Sequence, residues 1–100
     1  MILYNTTYTL DKAKQHEWIY WIKQEYLPLA QETGLVVNTR LLKLLTDVGQ
    51  EGVVFSVQLD FETAADYEAF LENHAPTLQQ RLEFRFGVQL PAFSTLLEQL

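Results

Sequence analysis

Two hydrophobic periods take turns along this chain, the alternation of a strand and the three-four spacing of a helix. Residues 2–9, Ile2-Leu3-Tyr4-Asn5-Thr6-Thr7-Tyr8-Thr9, are mostly β-branched or aromatic, which predicts a first strand. Asp11 then stands where a helix N-cap belongs. Over residues 12–33, Trp18, Ile19, Ile22, Tyr26, Leu29 and Ala30 recur at spacings of three and four and form one apolar stripe. Pro28 lies inside that stretch. Its missing N–H and its ring predict a kink or an end near Leu27, with one further turn closed by Gly34 in a left-handed C′ conformation.

Residues 35–45 predict a second strand, although Leu35, Val36 and Val37 are all apolar and blur the alternation. A helix from Thr39 to Thr46 is the competing reading. Thr46-Asp47-Val48-Gly49-Gln50-Glu51-Gly52 is polar and acidic with two glycines, and reads as a turn. Residues 53–60 alternate clearly: Val53, Phe55, Val57 and Leu59 point one way, and Val54, Ser56, Gln58 and Asp60 the other. Thr63-Ala64-Ala65-Asp66 resembles a capping box with Asp in place of Glu. Behind it Tyr67, Phe70, Leu71 and His74 share a helical face. Pro76 can open a second helical piece, Leu78, Leu82 and Phe86 continue the stripe, and Gly87 closes it. Residues 88–98 read as a last strand. Pro91 inside it cannot donate to a ladder, which places that strand at an edge or bulges it.

The order is β-α-β-β-α-β within one domain spanning residues 1–100. The economical solution is a ferredoxin-like α+β fold, a four-stranded antiparallel sheet with two helices on one face. Helices then cover only one face of the sheet, and apolar residues fall on both. Strand two places Leu35, Val37, Leu41 and Leu45 on one face and Val36, Leu42 and Leu44 on the other. Strand four divides Val88, Leu90 and Leu96 from Phe93 and Leu97, and strand one divides Ile2, Tyr4 and Tyr8 from Leu3. So much apolar area on a second face is unusual for a monomer. It predicts a homodimer that stacks sheet on sheet, each Å² removed from water contributing about 25 cal/mol.

Composition narrows the class further. Apolar residues make up 48% of the 100 residues, which excludes a disordered chain. There is no cysteine, so disulfide frameworks and thiolate metal sites are excluded. Seven Lys and Arg against 13 Asp and Glu leave a net charge of −6, which argues against nucleic acid as a partner. No apolar run is long enough to span a membrane, and the first residues lack the basic and apolar regions of a signal peptide, so the expected location is cytoplasmic. The acids Asp60, Glu62, Asp66, Glu68 and Glu72 occupy a stretch without Lys or Arg, which reads as a solvated helix face.

Several segments together resemble a small bacterial family of uncharacterised proteins of about this length. They are Tyr4-Asn5, Trp18-Ile19-Tyr20-Trp21-Ile22-Lys23, Leu27-Pro28, Thr33-Gly34-Leu35, Arg40-Leu41-Leu42, Ala65-Asp66-Tyr67, His74-Ala75-Pro76 and Arg85-Phe86-Gly87. The resemblance covers the whole chain and points to the dimeric α+β barrels. It implies a ferredoxin-like protomer and a homodimer formed through the sheet faces. That grouping includes cofactor-free monooxygenases, haem-degrading enzymes, chlorite-type dismutases, isomerases and stress-response proteins, so it implies no single reaction. Asn5 and His74 are similar in placement to residues of the haem-degrading members, but Tyr67 stands where those have a tryptophan. No cofactor is therefore expected.

His74 is the leading candidate for chemistry, as general base or ligand donor, because its helical face turns it toward the sheet. Capping helix carbonyls ahead of Pro76 is its alternative role. Asn5 in strand one is a candidate donor to a developing oxyanion. Arg40, mid-strand, requires a carboxylate, a carbonyl or a ligand anion, an inter-subunit salt bridge being one way to supply it. Tyr67 is a candidate for orienting a substrate. Trp18 and Trp21, three apart, can form an aromatic wall for a flat ligand or pack in the core. The two histidines lie far apart on different elements, and no metal site is expected. Three readings of function follow: a homodimer binding a small apolar or aromatic molecule between helices and sheet; a cofactor-independent monooxygenase or isomerase using His74 and Asn5; and a non-catalytic subunit whose acidic second helix docks a protein.

Overall fold

Strand alternation sets the two faces of the molecule. The computed structural model describes residues 1–46, 52–87 and 90–100. The chain runs through β1 (Ile2–Leu10), a short 3-10 turn (Lys12–Lys14), α1 (Gln15–Trp21), a π-helical turn (Ile22–Tyr26), α2 (Leu27–Glu32), β2 (Val36–Lys43), β3 (Val53–Phe61), α3 (Ala64–Asn73), α4 (Ala75–Phe86) and β4 (Ala92–Glu98). The strands form one antiparallel sheet in the order β2-β3-β1-β4. This is the ferredoxin-like α+β arrangement, with the helices packed on one face. The competing helix over Thr39–Thr46 does not form, and β2 occupies that stretch instead.

Local signals act as expected at most boundaries. The Asp11 carboxylate accepts the Ala13 N–H at 3.2 Å, and the Thr63 hydroxyl accepts the Asp66 N–H at 3.1 Å. Gly34 follows α2 at φ 77°, a conformation open to glycine at no steric cost. Pro28, however, does not end its helix. The chain widens into a π turn, in which the Leu27 N–H reaches back to the Ile22 carbonyl, and re-enters α geometry with Pro28 in the first turn of α2. The wider turn gives the ring room, and a missing donor costs little in a first turn.

The faces of β2 also differ from simple alternation. Val36 pairs with Phe61 but Asn38 pairs with Asp60, so Val37 is the extra residue of a β-bulge. The bulge shifts the phase by one. Val36 therefore faces the helices together with Leu41, while Asn38, Arg40 and Leu42 face away. Pro91 lies just before β4 and not inside it, and its carbonyl accepts the Thr9 N–H at 3.0 Å. Most of the turn expected over Thr46–Gly52, and Val88 of the expected last strand, lie outside the described residues.

The core sits between helices and sheet. Trp18, Ile22, Phe55, Leu59, Phe61 and Phe70 are fully buried, and Trp18 packs between Tyr8 and Phe55 at ring-centroid distances of 5.3 and 5.1 Å. The outer strand β4 remains exposed along its whole length. No helix among the described residues is long and apolar enough to cross a membrane.

Candidate functional site

Tyr4, Thr6 and Tyr8 are two residues apart in β1, so all three point to the helix side, and Tyr8 sits opposite Phe55 of the core. On their other flank β4 presents small side chains at two of the three positions, Ala92 opposite Tyr8 and Ser94 opposite Thr6, while Leu96 stands opposite Tyr4. Large residues beside small ones leave a gap. It is a cleft of about 370 Å³, floored by β1 and β4 and walled by Leu71, Ala75, Pro76 and Gln79 of α3 and α4. Tyr26, on the π turn, closes it from the first helical layer.

The cleft is polar in one particular way. Burial, with the Tyr4 phenol nearby, raises the Tyr8 hydroxyl from 10.0 to about 12. Burial, then Tyr8 and Tyr4, pushes the Tyr26 hydroxyl up further still. Both phenols are neutral donors at any ordinary pH. On the floor, the Thr6 and Ser94 hydroxyls lie 3.0 Å apart, and Ser94 donates to the Tyr4 oxygen at 3.2 Å. Such a lining holds and orients an apolar body with polar groups. Among the described residues it brings no carboxylate, imidazole or cation to the cleft.

None of the residues singled out from the sequence is in the lining of this cleft. His74 joins α3 to α4: its N–H donates to the Phe70 carbonyl at 2.9 Å and its own carbonyl accepts the Leu78 N–H at 3.2 Å. Its half-buried ring lies 6.1 Å from that of Phe70. Tyr67 is wedged between Tyr4 and Phe61, at 5.3 and 5.6 Å, and burial raises its hydroxyl, followed by Tyr4 and Glu68. Trp18 is core, and its Nε1 is the buried polar side-chain atom left without a partner among the described residues. Trp21 packs edge-on against Phe86 and also borders an outer groove between the helices. Trp18 and Trp21 therefore build no shared wall for a ligand in this cleft.

Asn5 and Arg40 lie on the opposite face of the sheet from His74, so the structure does not bring Asn5 and His74 together. They belong to a hydrogen-bonded chain that crosses all four strands. The Arg40 guanidinium holds both Asp60 carboxylate oxygens, at 2.9 and 2.6 Å, and donates through Nε to Gln58 at 2.9 Å. Gln58 donates to Asn5 at 3.3 Å, and Asn5 donates to Thr7 and Thr95 at 3.2 and 3.3 Å. The anion that Arg40 requires is thus Asp60 of the same chain, whose hydrogen bond holds the guanidinium pKa above its usual value. Asp60 is buried on the sheet and is not part of a solvated helix face. The signal for it was present in the polar phase of β3, where Gln58 and Asp60 share a face. The signal for the cleft was the two-residue spacing of Tyr4 and Tyr8 together with Tyr26 on the helical stripe. Among the described residues no group of three or more His, Asp or Glu is placed to hold a metal ion.

Solved structures share this architecture. HapK from Hahella chejuensis aligns with a TM-score of 0.71 at 15% identity, over 100% of this chain and 93% of that one. A putative antibiotic biosynthesis monooxygenase from Nitrosomonas europaea gives 0.71 at 11%, over 100% and 99%. A monooxygenase of Streptomyces coelicolor, in complex with nanaomycin D, gives 0.69 at 12%, over 99% and 87%. At these identities the likeness is one of fold. No curated protein sequence matches the chain. The chain folds as a ferredoxin-like α+β domain, the fold it shares with these antibiotic biosynthesis monooxygenase structures. The chain belongs to the family described as Domain of unknown function (DUF4286), whose model matches residues 1–100.

Proposed function

We propose that this protein is a homodimeric α+β barrel that binds a small apolar or aromatic molecule between its helices and its sheet. The cleft of about 370 Å³ carries this reading, because Tyr4, Tyr8 and Tyr26 offer aromatic surface and Leu71, Ala75 and Pro76 apolar surface around one space. That volume lies within the range of small-molecule sites, roughly 300–1,000 Å³. One protein of similar fold is known in complex with nanaomycin D. The homodimer is supported by the uncovered sheet face, where Leu42, Phe93 and Leu97 remain exposed. A cytoplasmic location is part of this proposal, and the cysteine-free composition is compatible with it.

Binding is tested with the neutral dye N-phenyl-naphthylamine, whose fluorescence rises in apolar surroundings. The wild-type protein enhances it saturably. Ala92→Trp, which fills the cleft beside Tyr8, abolishes the enhancement without lowering the melting temperature. No enhancement by the wild type, or enhancement unchanged in a folded Ala92→Trp variant, overturns the reading.

A further inference from the structure

We infer that the cleft selects uncharged aromatic molecules bearing hydroxyl or carbonyl oxygen, and that the Tyr8 and Tyr26 hydroxyls recognise that oxygen. The inference rests on the binding role proposed for the cleft and names its ligand class.

Charge complementarity decides the class. The described residues lining the cleft include no Lys, Arg, His, Asp or Glu. A carboxylate entering it finds no cation, and the net charge of −6 opposes its approach. An ammonium ion finds no carboxylate and has only aromatic faces to lie against. A neutral ring loses little on leaving water and gains contact with three tyrosines.

The donors are available. Neither the Tyr8 nor the Tyr26 hydroxyl bonds to another described residue, and neither is sealed off, since Trp18 Nε1 is the described side-chain polar atom that is both buried and unpartnered. Their rings are held by the core, Tyr8 against Trp18 and Tyr26 against Trp21. Both tyrosines therefore line the cleft on rigid supports, each with a phenolic proton to donate. An acceptor oxygen on the ligand satisfies them, whereas a plain hydrocarbon leaves them unpaired. Ser94, Thr6 and Tyr4 supply a second set of hydroxyls across the floor for a further oxygen.

The test is displacement of bound N-phenyl-naphthylamine by four probes near pH 7: naphthalene, naphthol, naphthoate and protonated naphthylmethylamine. Naphthol is expected to displace the dye at about tenfold lower concentration than naphthalene, the value of one neutral hydrogen bond. Naphthoate and the ammonium probe are expected to be weaker than both. Tyr8→Phe and Tyr26→Phe each reduce the ratio of naphthol to naphthalene affinity. If the wild type binds neither dye nor probes, the binding role itself fails. If dye and naphthalene bind but naphthol has no advantage, or either charged probe binds best, the binding role stands and this inference falls. A preference for naphthol that survives in both phenylalanine variants overturns the assignment to Tyr8 and Tyr26.

Discussion

Arg40 and Asp60 meet across β2 and β3 in a two-point ion pair of unequal burial: the aspartate side chain keeps 10% of its exposure and the arginine 38%. The inequality makes their removal asymmetric. Arg40→Ala leaves a largely buried carboxylate without its partner, which costs about 1–3 kcal/mol. Asp60→Ala leaves a guanidinium that water can reach, which costs about 1 kcal/mol or less. Urea unfolding of the two variants measures the difference. Equal losses would mean that solvent reaches Asp60 as easily as Arg40.

The uncovered sheet face is the surface proposed for the homodimer. Leu42→Asp or Phe93→Asp puts a charge at its apolar margins, on β2 and β4. Each is expected to convert the dimer to monomer in size-exclusion chromatography with light scattering, with helical content retained. A wild-type chain that runs as a monomer at micromolar concentration refutes the dimer.

The buried phenols make stability sensitive to alkali. Tyr8 ionises near 10.0 in the unfolded chain and near 12 in the fold. Its contribution is complete below the unfolded value and is lost as pH rises through the folded one. Tyr26 is shifted in the same direction. Stability therefore falls between pH 10 and about 12 by about 1.4 kcal/mol per pH unit for each such tyrosine. Chemical denaturation across that range is expected to show the slope, and Tyr8→Phe to flatten it.

Gly52 enters β3 at φ 93°, and a β-carbon there would sit 2.5 Å from the Leu10 carbonyl oxygen. Gly52→Ala is expected to cost about 1–3 kcal/mol, from strained backbone and a contact that must open. Thermal unfolding tests this. The Gly34 counterpart offers open space to a β-carbon and shares only the positive φ, so Gly34→Ala is expected to cost less.

Elements, caps and fold class were legible in the chain because they depend on neighbours in sequence. Apolar spacing drew the helices, alternation drew β1 and β3, and Asp11, Thr63 and Gly34 marked boundaries. Two irregularities, the π turn ahead of Pro28 and the bulge at Val37, are also local in sequence. They depend instead on whether packing of the flanking residues outweighs the irregularity.

The composition of each site is a different matter. Arg40 finds Asp60 twenty positions away, and Tyr8 meets Ala92 on the last strand, only because antiparallel pairing sets them side by side. A residue's strand phase tells which face it shares, but not which residue lies across the ladder. Likeness of placement pairs His74 with Asn5, and the sheet itself separates them. The cleft arises from a mismatch between large side chains on β1 and small ones on β4, a relation that exists only once the strands are in register.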